Sequence, residues 1–294
     1  MERVYKYCLG EIKNQHFTNV DIGIINFKTN KFESIKVGEK LLNIYDLASV
    51  SKPLNLASLY FLKPKIFTDD MKLLLNHRAS LPAWGRVDRK TYKKQINSYL
   101  IKESNTLYSD FSALRLMFEI EKKLENKIKI ELSSTWDKET LFWKDLKDKS
   151  YCVPTGFRNN KIIQGEVHDD NSFIIKDYTT HAGMFSTING LCKSFINLNE
   201  KTDFIKIMLN ETKINENRFV NGWDTVKTEK SLAGSGCSKE TFGHLGFTGT
   251  SVWIDPKKEI GHIILTNETI KYWYDRTKLN KFRREIGRLI WSMN

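Results

Sequence analysis

The sequence predicts an α+β fold: an antiparallel β-sheet flanked by helices, with an inserted all-helical lobe. Three observations carry that expectation. Runs rich in Ile and Val lie near both ends of the chain, at residues 20–27 and 32–37 and again at 251–255 and 260–267, and read as strands. Between them, from about residue 69 to 211, apolar residues recur at helical spacing. Near the C-terminus Leu279, Phe282, Ile286, Leu289 and Ile290 form an apolar stripe on one face of a closing helix. The strand-forming ends must then pair across the insertion. The expected division is a discontinuous sheet lobe of residues 1–68 and 212–294 and a mainly helical lobe of residues 69–211, with the site of interest between them.

Composition bounds the alternatives. In 294 residues, 40% are hydrophobic, with 17 Phe, 11 Tyr and 7 Trp, enough for a sizeable core. The net charge of +12 comes from 47 Lys+Arg against 35 Asp+Glu. Those cations are spread along the chain without a dense basic block, so they read as a solvated surface and no nucleic-acid partner is expected. The four cysteines, Cys8, Cys152, Cys192 and Cys237, form no C-x-x-C pair, which removes the usual zinc and dithiol motifs. The N-terminus lacks an apolar signal core and no run is long enough to span a bilayer. The expected location is therefore the cytoplasm, or the periplasm if a leader has been removed. The oligomeric state is open.

Taken in order, the elements begin with a hairpin turning at Lys28-Thr29-Asn30-Lys31. Ser49-Val50-Ser51-Lys52 follows, with Pro53 directly after it. Proline is tolerated in a helix's first turn, which places a helix start near Ser49 or Val50. Ser49 would sit at that N-terminus, where backbone N–H groups favour developing negative charge. Lys52 would lie one turn on, against its Oγ. Alone, this pattern is more often a capping serine beside a solvated lysine. Asp69-Asp70 opens a short helix, and residues 77–84 form a loop. Tyr108-Ser109-Asp110 stands at the junction before the helical run of Phe111, Leu114 and Phe118. Ser109 or Asp110 can cap that helix, while a tyrosine presented there could share a proton. Gly165-Glu166-Val167-His168-Asp169-Asp170-Asn171 is dense in polar groups, but one histidine with carboxylates is a poor metal site. It reads as a hydrogen-bonded loop bordering the active site. Residues 181–187 read as a tight turn into a helix, with His181 structural. Finally, the glycines of residues 242–250 permit close approach of a backbone or ligand. No metal and no cofactor is expected.

Together these segments give the chain a resemblance to the β-lactamase-related serine hydrolases: class C β-lactamases, low-molecular-weight penicillin-binding proteins (DD-peptidases) and similar esterases. That family carries S-x-x-K, Y-x-N and K-T-G or H-T-G in this order. Ser49-Val50-Ser51-Lys52 matches the first, Tyr108-Ser109-Asp110 the second with Asp for Asn, and His244-Leu245-Gly246 the third with Leu for Thr. Residues 74–82 resemble the family's "LLtHtSGLP" loop, and the resemblance runs from about Val20 to the C-terminus. It implies a β-lactamase/transpeptidase-like fold and a small-molecule or peptide substrate. It implies Ser49 as nucleophile, Lys52 as activating base or proton relay, and Tyr108 as a proton-transfer partner. The backbone N–H groups of Ser49 and Phe247 would form an oxyanion hole, with Asp110, His244 and Gly246 around the substrate.

The departures modify that expectation. A carboxylate at Asp110 cannot donate the amide's hydrogen bond, and it would hold Lys52 as ammonium. Leu245 removes a hydroxyl that helps bind a substrate carboxylate. The leading expectation is thus an esterase or a D-alanyl or D-amino peptidase acting through an acyl-serine. The alternative is a catalytically impaired binding or sensor protein that keeps the penicillin-binding fold. Either way, purified protein is expected to turn over penicillin or a chromogenic cephalosporin weakly or not at all. Rapid hydrolysis in a spectrophotometric assay would contradict this.

Overall fold

The computed structural model describes residues 1–227, 231–271 and 275–293. Its strands, in chain order, are β1 (Val20–Asn26), β2 (Lys31–Val37), β3 (Tyr45–Asp46), β4 (Thr140–Phe142), β5 (Gly156–Arg158), β6 (Lys161–Ile163), β7 (Met184–Ser186), β8 (Phe219–Val220), β9 (Trp223–Thr225), β10 (Phe242–Leu245), β11 (Ser251–Asp255) and β12 (Ile260–Thr266). Seven of them form one sheet in the order β2-β1-β12-β11-β10-β9-β8. Every neighbouring pair in it is antiparallel. The N-terminal hairpin thus docks on the C-terminal strands, with Ile22 of β1 opposite Ile264 of β12. Pairing of the chain's two ends across the insertion closes the sheet.

Alternation along the strands sorts side chains into two cores. Val20 and Ile22 of β1 and Ile264 of β12 point to one face, where the helices Glu2–Glu11 and Thr277–Trp291 bring Val4, Cys8, Leu279, Phe282 and Ile286. Ile25, Ile263 and Leu265 point to the other, larger core. There the helix Ile188–Thr202 crosses Gly23, where an added Cβ would lie 2.6 Å from Cys192 Sγ. All four cysteines are unpaired thiols.

Beyond this layer lie the helices Asp69–Leu75, Tyr92–Asn97, Asp110–Leu124, Ile128–Leu132 and Asp170–Ile175. The insertion also holds strands that periodicity could not show. β4 and β7 join β3 in a three-stranded sheet, and β5 pairs with β6. Elements of two or three residues are too short to display an alternating pattern. The same brevity hid β8 and β9. The N-terminal helix buries only Val4 and Cys8, too little for a stripe.

The helix start near Ser49 differs from the simple expectation. A 3-10 turn covers Ala48–Val50, and Pro53 stands at the first position of the separate helical stretch that follows. Lacking an N–H, proline interrupts the α-helical ladder. The chain responds by winding Pro53–Ala57 as a π-helix before Ser58–Leu62 returns to α geometry.

The C-terminal helix is seated by close backbone approach. A Cβ on Gly287 would stand 1.9 Å from the Ala233 carbonyl oxygen, and Trp291 Nε1 donates to that same oxygen at 2.7 Å. Gly287→Ala is expected to cost about 1–3 kcal/mol by overpacking. A thermal melt should show the midpoint lowered by several degrees, and an unchanged midpoint would contradict this contact.

Candidate active site

Ser49 stands where β3 ends and the helical turn begins. The residue before it, Ala48, adopts a left-handed φ of 46°. For a residue with a Cβ that conformation costs about 1–2 kcal/mol, so something must hold it. Asp46 does: its Oδ1 accepts the Ala48 N–H at 2.8 Å. Its Oδ2 accepts the His168 N–H at 2.7 Å. Burial pushes the Asp46 carboxyl up to about 7, although both N–H donors draw it down. One buried side chain therefore ties the turn at Ser49 to the loop of residues 165–171.

Lys52 is buried directly below. Its Nζ lies 2.9 Å from Ser49 Oγ, 3.0 Å from the His181 carbonyl oxygen and 2.6 Å from Asp110 Oδ1. An ammonium has three donors, and three acceptors surround this one. Burial alone would depress the amine, yet Asp110 and Tyr108 hold it well above its ordinary value. Asp110 is available for this pairing because Ser109 caps the Asp110–Leu124 helix. Ser109 Oγ accepts the Ser112 N–H at 2.9 Å and donates to the Pro82 carbonyl at 2.6 Å.

Tyr108 is fixed by rings. His77 and Phe219 lie 4.7 and 5.8 Å from it between centroids, and Lys52 Nζ is 4.9 Å from its ring centre. Burial raises the phenol, while Lys52 and Ser49 draw it down. His77 Nδ1 accepts the Ser109 N–H at 3.1 Å, which anchors the loop that presents the phenol. His244 backs the same ring at 5.8 Å and is almost fully buried. Burial, followed by Lys52, pulls its imidazole down to about 3, so it is neutral at ordinary pH.

Residues 246–250 form a turn stitched to the chain entering Ser49. Gly246 N–H donates to the Thr250 carbonyl at 2.8 Å. Thr248 Oγ1 donates to the Asp46 carbonyl at 2.7 Å, and Thr250 Oγ1 to the Leu47 carbonyl at 2.9 Å. A Cβ on Gly246 would come within 2.6 Å of the Leu47 oxygen, so only glycine fits this approach. Ser49, Tyr108, Asp110, His168 and Phe247 share one cleft of about 670 Å³. His244 and Gly246 stand behind its wall.

Two residues of this arrangement, Arg283 and Asp46, were not singled out by sequence. Arg283 is buried on the C-terminal helix and donates to the carbonyls of Gly246 and Thr250 at 3.2 and 2.6 Å. Its signal was an arginine among the stripe residues Leu279, Phe282 and Ile286. Asp46 preceded the motif by three residues without belonging to it. Asp169, drawn down to about 2 by His181 against its burial, accepts from or pairs with His181 Nε2 at 2.9 Å. Among the described residues, no cluster of three or more His, Cys, Asp or Glu side chains is placed to hold a metal. No described helix is long and apolar enough to cross a membrane.

No family model matches the chain. Over 118 residues, 36% of the chain, it is 30% identical to the N-acetylmuramyl-L-alanine amidase of Bacillus subtilis (strain 168), a stretch spanning only 27% of that protein. Among solved structures, a β-lactamase from Sulfitobacter sp. EE-36 superposes with a TM-score of 0.68 at 12% identity, covering 99% of this chain and 98% of that one. The β-lactamase/D-alanine carboxypeptidase of Pseudomonas syringae gives 0.66 at 11% identity, covering 97% and 98%. The chain has the α+β fold of the β-lactamase-related serine hydrolases.

The ion pair makes a direct prediction. Asp110→Asn removes the attraction that keeps Lys52 protonated, so the neutral amine appears at lower pH. The rate of Ser49 labelling by a fluorophosphonate should reach its alkaline plateau about 1–3 pH units earlier than in the parent protein. An unmoved profile would mean that Asp110 does not govern the amine.

Proposed function

We propose that the protein is a serine hydrolase that forms an acyl-enzyme on Ser49 and cleaves an ester or amide. The observation that carries this reading is the buried Lys52 Nζ at 2.9 Å from Ser49 Oγ, Ser49 itself lining the cleft. In its neutral form the Lys52 amine takes the Ser49 proton as Oγ bonds to the carbonyl carbon. The carbonyl oxygen becomes an oxyanion, facing the backbone N–H groups of Ser49 and Phe247 in our assignment. As the tetrahedral species collapses, the bond to the leaving group breaks, and Tyr108 or Lys52 returns the proton to it. Water repeats the sequence and releases the acid.

The Lys52–Asp110 ion pair sets the pace, because the ammonium must lose a proton before it can accept one. That supports slow acylation and weak or no β-lactamase activity. The names of the similar proteins favour amide or peptide bonds, and the fold supports esters equally. The ion pair also favours a second reading, a protein that acylates once and then holds the adduct as a sensor would.

Intact mass after treatment with a fluorophosphonate, together with p-nitrophenyl acetate turnover, tests the proposal. The parent protein should gain one adduct and release nitrophenol continuously. Ser49→Ala should take no adduct and lose turnover by at least about three orders of magnitude. A single burst followed by a stable acyl-protein would favour the sensor instead. No reaction by folded parent protein would remove both readings.

A further inference from the structure

Hydrolysis through an acyl-serine needs a proton acceptor twice: once for Ser49 Oγ and again for the water that releases the acyl group. Asp110, 2.6 Å from Lys52 Nζ, holds that amine as an ammonium, so Lys52 begins each step with no lone pair to offer. His168 lines the same cleft as Ser49. His77, His181 and His244 are buried, whereas His168 is half-buried. Its Nδ1 faces Thr155 Oγ1 at 3.3 Å. Its Nε2 is not sealed in and has no hydrogen-bond partner among the described residues. The ring's place is set by its surroundings. Asp46 holds the His168 N–H with Oδ2 at 2.7 Å and the Ala48 N–H with Oδ1 at 2.8 Å, so one carboxylate sets this histidine beside the turn that presents Ser49. The ring packs on Phe247, 5.7 Å away between centroids. Gly156 leaves it room, since a Cβ there would stand 3.2 Å from His168 Cε1. Burial, Arg158 and Arg276 draw the imidazole down to about 4, while Asp169 and Asp170 oppose them. At ordinary pH it is therefore neutral and has no proton to lose before it can accept one.

We propose that His168 Nε2 is the general base for the water that releases the acyl group from Ser49. This role rests on the acyl-serine reading and assigns the base in its second half. With the imidazole proton on Nδ1, donated to the Thr155 hydroxyl, Nε2 carries the lone pair. Water oxygen bonds to the acyl carbonyl carbon as Nε2 takes one of its protons. The carbonyl oxygen becomes an oxyanion at the Phe247 side, and that developing charge favours the imidazolium beside it. On collapse the bond from carbon to Ser49 Oγ breaks, and the Lys52 ammonium, 2.9 Å away, gives Oγ its proton. His168 then passes its proton to solvent and Lys52 regains one, so the net change is one water consumed and one acid released. The Lys52–Asp110 pair, an obstacle to acylation, supplies the right form of the amine for this step.

Burst kinetics with p-nitrophenyl acetate, followed by intact mass, test the role. In His168→Ala the burst of one nitrophenol per protein should survive, and an acetyl adduct on Ser49 should accumulate. The steady-state rate should fall by about 10²–10⁴-fold. Added imidazole should restore it, after subtraction of the rate measured with Ser49→Ala, because imidazole attacks the ester on its own. His168→Gln, which fills the space and keeps a polar group against Thr155, should accumulate the same adduct and gain nothing from imidazole. Steady-state turnover by either variant at the parental rate would overturn the proposal. So would loss of burst and steady state together in protein that melts like the parent, which is a defect of acylation. If the parent itself keeps its acetyl group, there is no water step, and this role falls while acylation of Ser49 stands. If Ser49→Ala turns the ester over as the parent does, the acyl-serine reading falls and takes this role with it.

Discussion

The site depends on one buried amine. Lys52 is held by acceptors from three separate parts of the chain: Ser49 on its own helix, Asp110 at the start of another, and the His181 carbonyl from the segment leading into β7. A lysine removed from water is unstable as a cation unless its donors are met, and here the surrounding acceptors meet them. The insertion and the helix after β3 must therefore close on each other for this lysine to be satisfied. The same closure brings Tyr108 against Ser49. Folding and site assembly are one event at this point.

A second set of contacts fixes the opposite wall. Two threonine hydroxyls fasten the 246–250 turn to the carbonyls of residues 46 and 47, and Arg283 grips the same turn from the C-terminal helix. Burial and Arg276 disfavour the charge of Arg283, while Glu268 favours it. Glu268 itself is raised to about 7 by burial against the pull of both arginines. A buried cation is a demanding way to hold a turn, but here a single nitrogen, Arg283 Nη2, donates to both carbonyls. The sheet, closed by pairing the two ends of the chain, carries this turn to the Ser49 side of the cleft.

Much of this was legible before the structure. Long segments with strong periodicity, such as β1, β2, β12 and the helices around Phe111 and Phe282, announced themselves because burial of one face selects residue type at a fixed interval. The three motif segments also met in space, with Ser49, Lys52, Tyr108 and Asp110 in direct contact or on one cleft. What sequence left out was long-range and polar. Asp46 and Arg283 reach backbone groups far along the chain, Asp169 meets the His181 imidazole, and a single polar residue has no periodicity to reveal its partner. His244 was expected to line the pocket and orient Tyr108 or the substrate; it is buried behind Tyr108, 5.8 Å from that ring between centroids.

The central claim is that Ser49 Oγ attacks a carbonyl whose oxygen is received by the Ser49 and Phe247 backbones. A crystal structure of the protein after reaction with a diethyl phosphonate tests it most directly. The account predicts continuous density from Ser49 Oγ to phosphorus, with the phosphoryl oxygen about 3 Å from both N–H groups. Phosphorus bonded elsewhere, or a phosphoryl oxygen turned toward solvent while Lys52 remains paired with Asp110, would contradict it.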